Sequence, residues 1–196
     1  MEFGGSEYGS PTNFDSFFVD KFRLGVSRTN GPAHRWCRIV TKRVYIETTI
    51  PSYLAAWPSR DLLQAARQQI TLDWWNNERA NYELCISEIV LDEAFAGDSD
   101  AAKRRLTFLV DLPLLDVTDA VNVVAKAIMD SGLLPQKATR DAIHIAVASV
   151  HGIDFLLTWN CRHIANAAIM KELQTILANF DCEIPTICTP EELFGE

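Results

Sequence analysis

The sequence predicts an α/β fold: a central parallel sheet of four to five strands flanked by helices on both faces. Three observations point there. Five short runs rich in β-branched and other apolar residues are spread along the chain, KRVYIE (42–47), YELCIS (82–87), LLDV (114–117), IDFLLTW (153–159) and TICT (186–189). The segments between them are far longer than hairpin turns and carry apolar residues at helical spacing, so the strands are joined by crossovers and run parallel. The strands also read as near-continuous apolar runs, the pattern of a sheet covered on both faces.

Each element has a local reason. RVYI is β-branched and apolar and ends in the carboxylate of Glu47. TTIPSYLAA follows, with Pro51 placed to open a helix. Residues 61–81 form a long amphipathic helix. Trp74 and Trp75 lie toward its end, one packing into the core and the other facing a partner surface. After YELCIS, Ser87 caps a helix through EIVLDEAFA that stops at Gly97. SDAAKRRLTFLVDL (99–112) is the next helix. Thr118 caps DAVNVVAKAIMDSG, where Val121, Val124, Ala125 and Ile128 repeat at helical spacing until Gly132. KATRDAIHIAVASVHG (137–152) is nearly apolar with small residues on several sides, which marks a central, buried helix. KELQTILANF (171–180) is the last helix. The order is β-α-α-β-α-α-β-α-α-β-α-β.

Composition narrows the classes. With 196 residues and 48% apolar content the chain is long enough for one domain with a substantial core, which excludes fibrous and small disulfide-stapled proteins. No apolar run approaches the roughly 18–20 residues of a membrane span. The net charge of −8 argues against a broad basic face for nucleic acid, while leaving room for an acidic site that handles phosphate through a cation. The five cysteines are odd in number and irregularly spaced, which fits buried thiols in a reducing cytoplasm. A zinc site drawn from Cys161, His163, Cys182 and Cys188 matches no usual spacing. Residues 1–41 are rich in Gly, Ser, Thr and Asn without a sustained apolar period, and are expected to be a disordered extension or upstream sequence read as coding. Their Phe14–Phe22 patch is the one candidate docking element, and no secretory pattern opens the chain. The domain proper is expected over 42–196.

Four polar groups stand where surface residues do not. Glu47 and Asn160 end two strands, and sites in parallel sheets lie outside the carboxyl ends of strands. Glu93 shares a helix side with Ile89 and Val90, and Asp141 lies one turn before Ile145. Buried carboxylates need partners. A divalent cation is an economical common partner for Glu47, Glu93 and Asp141, because hard cations choose oxygen ligands and can polarise a phosphoryl oxygen and activate water. Each acid also has a plain reading. Glu47 caps the helix after it, Glu93 pairs with Lys103 or Arg104, and Asp141 is a first-turn acid favoured by the helix dipole. His144 reads as a satisfied core histidine, and Asp92 and Glu88 as solvated. The basic run Lys103–Arg105 is a solvated face or a phosphate contact.

The series YIETTIPSYL, SEIVLDEA and DAIHIAVASVHGIDFLLTWNCRHIAN resembles a PIN domain of the kind found in VapC-type toxins, over about residues 43–193. The resemblance implies a PIN-like fold, a metal-dependent ribonuclease using Mg²⁺ or Mn²⁺, and a cognate antitoxin protein as partner. A homodimer is expected as well. It places Glu47, Glu93, Asp141 and Asn160 as catalytic and metal-binding residues. Thr48 and Ser52 resemble the hydroxyls that follow the first acid. With Arg162 and His163 they are the candidates for substrate contact. Two departures stand out: Glu47 replaces the usual Asp, and Asn160 falls where many members carry a further Asp. They motivate the alternative of a PIN-fold binding module with weak or no turnover. Glycine-rich phosphate loops and the G-x-S-x-G elbow are absent from the sequence.

Overall fold

The computed structural model describes residues 41–195. The N-terminal extension and its Phe14–Phe22 patch lie outside these residues. The element order follows the sequence reading: β1 (Arg43–Ile46), α1 (Thr49–Ala55), α2 (Leu62–Asn77), β2 (Glu83–Ser87), α3 (Glu88–Phe95), α4 (Ser99–Thr107), β3 (Leu114–Leu115), α5 (Asp119–Asp130), α6 (Thr139–Val150), β4 (Phe155–Leu157), α7 (Met170–Ala178) and β5 (Thr186–Cys188). All five strands pair in parallel, in the order β3-β2-β1-β4-β5.

This order places the site. The chain moves outward from β1 through β2 to β3, then returns to lay β4 on the other side of β1 and β5 beyond it. Right-handed crossovers therefore carry α1–α4 over one face and α5–α7 over the other. α1 packs on α2 and α4, and α5 on α6 and α7, while α3 meets α6 where Glu93 reaches His144. The direction reverses between β1 and β4, and in parallel sheets the carboxyl ends of the strands at such a switch point are where a site is expected. β1 is the most enclosed strand, with Val44, Tyr45 and Ile46 fully buried. α6 is central as its composition predicts, burying Ala142 and every residue from His144 to Ser149.

The caps show where local signals hold and where distant partners override them. Asp61 accepts the Gln64 N–H, Asp98 the Ala101 N–H and Thr118 the Val121 N–H, each satisfying an orphan helix donor. Val121, Val124, Ala125 and Ile128 form the buried stripe of α5. Gly97 and Gly132 end their helices at positive φ, where a Cβ is disfavoured. Ser87 precedes α3 but does not cap it with its side chain, because its hydroxyl is bonded to Tyr45. α4 is shorter than the 99–112 expected. It ends at Thr107, and residues 108–112 tighten into turns before Pro113, which disfavours a helical residue in front of it.

The tryptophan reading needs correction. Both Trp74 and Trp75 are buried. Trp74 donates its indole N–H to the Leu193 carbonyl, and Trp75 packs edge-on against Phe108. Among the described residues the exposed tryptophan is Trp57, with the Arg104 guanidinium over its ring. Among the described residues Cys85 and Cys188 are buried thiols, each pushed up to about 12 by burial, and so inert. No helix among the described residues is long and apolar enough to cross a membrane.

Candidate active site

Glu47 leaves the end of β1 and is 4% exposed. Its backbone N–H donates to Leu157 of β4, which ties it to the crevice between the two strands. Its Oε2 accepts three hydrogen bonds: from the Thr49 N–H at 3.0 Å, the Thr49 hydroxyl at 2.5 Å and the Thr158 hydroxyl at 2.7 Å. The capping reading of Glu47 is therefore observed, since the Thr49 N–H opens α1. No described residue donates to Oε1, so one oxygen of a nearly buried carboxylate is left for another partner. The longer side chain has a structural use, because the extra methylene lets Oε2 reach back to Thr49 and across to Thr158.

Glu93 comes in from α3 and is held in the same way. Its Oε2 accepts from the Thr48 hydroxyl at 2.5 Å and lies 3.0 Å from His144 Nε2. Its Oε1 is 3.6 Å from Arg140 Nη1, too long for a hydrogen bond. Lys103 and Arg104 are occupied elsewhere, by Asp100 and by the Ala55 carbonyl. Burial raises the pKa of the Glu93 carboxyl. The His144 hydrogen bond and charge, the Thr48 hydroxyl and the Arg140 guanidinium outweigh it and hold the group below the usual glutamate value.

Glu47, Glu93 and His144 each offer one ligand atom within 4.8 Å of the others, and among the described residues this is the one such group of three. Carboxylate oxygens are what a hard divalent ion takes. Among the described residues Glu47 Oε1 has no donor, and Glu93 Oε1 faces only Arg140, at 3.6 Å. Zinc at Cys161, His163, Cys182 and Cys188 does not fit, because these residues bring no such group together.

Asp141 stands outside that group and faces its own partners. Its Oδ1 accepts from Asn160 Nδ2 at 3.0 Å, and its Oδ2 lies 2.7 Å from His163 Nδ1. Asn160 is used at both ends, since its Oδ1 accepts the His163 N–H at 3.2 Å. The two clusters are joined by Thr158, whose hydroxyl accepts the Asn160 N–H and donates to Glu47. Among the substrate candidates, Thr48 is committed to Glu93 and His163 to Asp141. Ser52 is half-buried on α1, and Arg162 is exposed beside the Asp141 cluster. Arg140, which the sequence sets beside Asp141, is half-exposed and lies over Glu93.

Sequence reasoning missed three supports. Thr158 and Thr49 bond Glu47, and Tyr45 bonds His144. Tyr45 carried a legible signal: a tyrosine within an apolar strand needs a partner for its hydroxyl. Its phenol is fully buried and pushed well above the ordinary value by that burial, so it stays protonated as a donor.

No curated protein matches this chain. Among solved structures, VapBC2 from Rickettsia felis bound to a DNA fragment from its promoter is similar, at 15% identity and a TM-score of 0.46, covering 75% of this chain and 98% of that one. The sequence model of the PIN domain matches residues 44–169, a span that holds every strand that borders the site and all of Glu47, Glu93, Asp141 and Asn160. With the parallel sheet and its carboxylate crevice, that match establishes that the chain belongs to the PIN domain family.

Proposed function

We propose that this PIN domain is a Mg²⁺- or Mn²⁺-dependent ribonuclease that hydrolyses RNA phosphodiester bonds. The observation that carries the reading is the pairing of Glu47 and Glu93 at the β1–β4 crevice, each fixed through Oε2 with Oε1 uncommitted. Glu47 and Glu93 would hold the ion. Asp141 and Asn160, one hydroxyl away through Thr158, would complete the site or hold its waters. Bound there, a divalent cation would supply charge neutralisation at the phosphate and activation of water. The protein's own part is to fix the acids. Threonine hydroxyls aim two carboxylates without neutralising them, and the half-exposed Arg140 and exposed Arg162 supply attraction to phosphate at the rim of an acidic chain. His163 is placed to touch substrate as well, since its ring lies against Asp141 at the same edge.

The role of toxin in a toxin–antitoxin pair rests on the resemblance of YIETTIPSYL, SEIVLDEA and DAIHIAVASVHGIDFLLTWNCRHIAN to VapC toxins. A small cognate antitoxin protein would then cover the crevice, the chain would act in the cytoplasm, and a homodimer is the expected assembly.

A fluorogenic RNA assay tests the reading. Cleavage with Mn²⁺ should vanish with EDTA and fall strongly in Glu93→Gln. Cleavage that survives both rejects the metal mechanism. One observation favours a second reading, a binding module with little turnover: both ends of the Asn160 amide are consumed by Asp141 and His163. Tight partner binding without cleavage under any metal would select it.

A further inference from the structure

A second polar feature reaches the site from inside the sheet. Tyr45 of β1 and Ser87 of β2 lie on the same sheet face, and their hydroxyl oxygens are 2.6 Å apart. The Tyr45 hydroxyl is also 2.8 Å from His144 Nδ1 on α6. His144 is 1% exposed, and its Nε2 is the atom that meets Glu93 Oε2 at 3.0 Å. Four groups from four elements thus stand in single file, ending on one of the two carboxylates that define the crevice. The reading of His144 as a satisfied core histidine is correct as far as it goes: both ring nitrogens are bonded. It does not say what the bonding does.

The carboxylate fixes the proton at one end of the file: it only accepts, so His144 Nε2 carries the hydrogen and donates to Glu93. The ring's Nδ1 meets the Tyr45 hydroxyl, which shares the next hydrogen with the Ser87 hydroxyl. The Ser87 side chain is turned toward Tyr45, and α3 has no side-chain cap from it. Such a chain is not needed for stability, since an apolar set of the same shape would fill this interior at little or no cost. Its distinctive effect is geometric. It occupies Glu93 Oε2 together with the Thr48 hydroxyl and leaves Oε1 uncommitted.

We propose that His144 is a positioning residue: Tyr45 and Ser87 hold its ring in place, and its Nε2–H turns Glu93 so that Oε1 is presented to the cation. The proposal rests on the metal reading above, and it assigns His144 to the support of a ligand rather than to the ion. Direct ligation would need the opposite tautomer, with Nδ1–H donating to Tyr45 and the Nε2 lone pair turned to the metal.

Two measurements on the full chain decide it. Nitrogen-15 NMR of histidine-labelled, metal-free protein, assigned by the signal lost in His144→Gln, should show a hydrogen on Nε2; a ring protonated at Nδ1 alone overturns the proposal. Tyr45→Phe leaves Glu93 as the acceptor, so the hydrogen should stay on Nε2; its shift to Nδ1 overturns the proposal. Mn²⁺ binding followed by electron paramagnetic resonance should weaken by about 10–100-fold in His144→Leu, the range for loss of an outer-shell partner. It should largely recover in His144→Gln, whose amide N–H can still donate to Glu93. Pulsed spectra of the Mn²⁺-loaded protein should lack a nitrogen coupling from His144; a coupling that disappears in His144→Gln makes His144 a ligand and overturns the proposal. Should His144→Leu fail to fold, His144→Gln and Tyr45→Phe carry the test. Failure of the unaltered protein to bind Mn²⁺ overturns the metal reading and this one together. Normal Mn²⁺ binding that His144→Leu leaves unchanged overturns this one alone.

Discussion

The two edges of the sheet each hold a carboxylate network, and they use their oxygens differently. At the amino edge, Asp154 just before β4 gives Oδ1 to Lys42 Nζ at 2.6 Å and Oδ2 to the Arg43 N–H at 2.9 Å. Both oxygens are spent on tying β4 to the start of β1. At the carboxyl edge, Glu47 and Glu93 gather all their close donors on Oε2 and leave Oε1 without one. Burial does not distinguish the two networks. The distribution of donors over the two oxygens does, and it is the difference to test. By the same measure Asp141 resembles Asp154, since Asn160 and His163 occupy both of its oxygens. Each Asp141 oxygen accepts from one partner and keeps a second lone pair, so these bonds orient the group without barring a cation.

The largest effects should come from acids with an uncommitted oxygen. Glu93→Gln keeps the size of the side chain but replaces the charge, and its amide N–H would oppose either His144 or Thr48. RNA cleavage with Mn²⁺ should fall by more than about 100-fold, beyond the usual cost of losing an outer-shell partner. A loss under tenfold would place Glu93 with Asp154 as a structural acid. Glu47→Asp restores the residue type usual at this place in the family, yet the shorter side chain withdraws from Thr49 and Thr158. Three donors around a buried carboxylate would lose their acceptor, at about 1–3 kcal/mol. The variant should therefore melt lower and cleave no better. A rise in both Tm and rate would show that the long side chain is a defect rather than an adapted reach.

The sequence carried the frame of this comparison but not its detail. The stripe Val121, Val124, Ala125 and Ile128 and the Thr118 cap were legible because helix period and capping are local. Glu47 at the end of an apolar strand was legible for the same reason. The commitment of Ser87 to Tyr45 was not, since it pairs residues 42 apart and competes with a cap that is locally reasonable. The bond between His144 and Glu93 joins residues 51 apart. Strand order was equally out of reach: apolar runs with crossovers imply parallel strands, but not that β4 returns to sit beside β1. The sequence leads one to expect that one of Trp74 and Trp75 is exposed; both are buried, Trp75 under Phe108, which lies in a turn where helix is expected.

A smaller effect should separate Asp141 from Asp154. Asn160→Asp replaces an amide that donates to Asp141 Oδ1 at 3.0 Å with a second carboxylate. Without a cation the two charges repel, so the metal-free protein should melt at a lower temperature. With Mg²⁺ the added charge should tighten binding on the order of tenfold, because affinity for a hard cation follows the charge of its ligands. Calorimetric titration and paired melts with and without Mg²⁺ read both sides. No change in Mg²⁺ affinity would place the Asp141 cluster outside the metal site and make it, like Asp154, a purely structural arrangement.

The smallest effect belongs to the amino edge, and its pH dependence makes it diagnostic. The Arg43 N–H, then the Lys42 side chain, hold the Asp154 carboxyl below its ordinary value against a smaller opposing contribution from burial. A folded pKa below the unfolded one means that the unfolded chain binds the proton more readily, so this stabilisation is complete above the unfolded value near 4. It is lost as pH falls through the lower folded value. Asp154→Asn should cost about 1 kcal/mol at neutral pH, at the lower end for a charged hydrogen bond because the group is partly exposed. Melts repeated toward about pH 3 should bring the variant and the parent together, because the parent then loses the charge that the variant never had. RNA cleavage at neutral pH should be unchanged, since both Asp154 oxygens serve the opposite edge of the sheet. A drop in cleavage with unaltered Tm would mean that an acid with both oxygens occupied can still act at the site, and donor distribution would then no longer separate the two kinds of carboxylate.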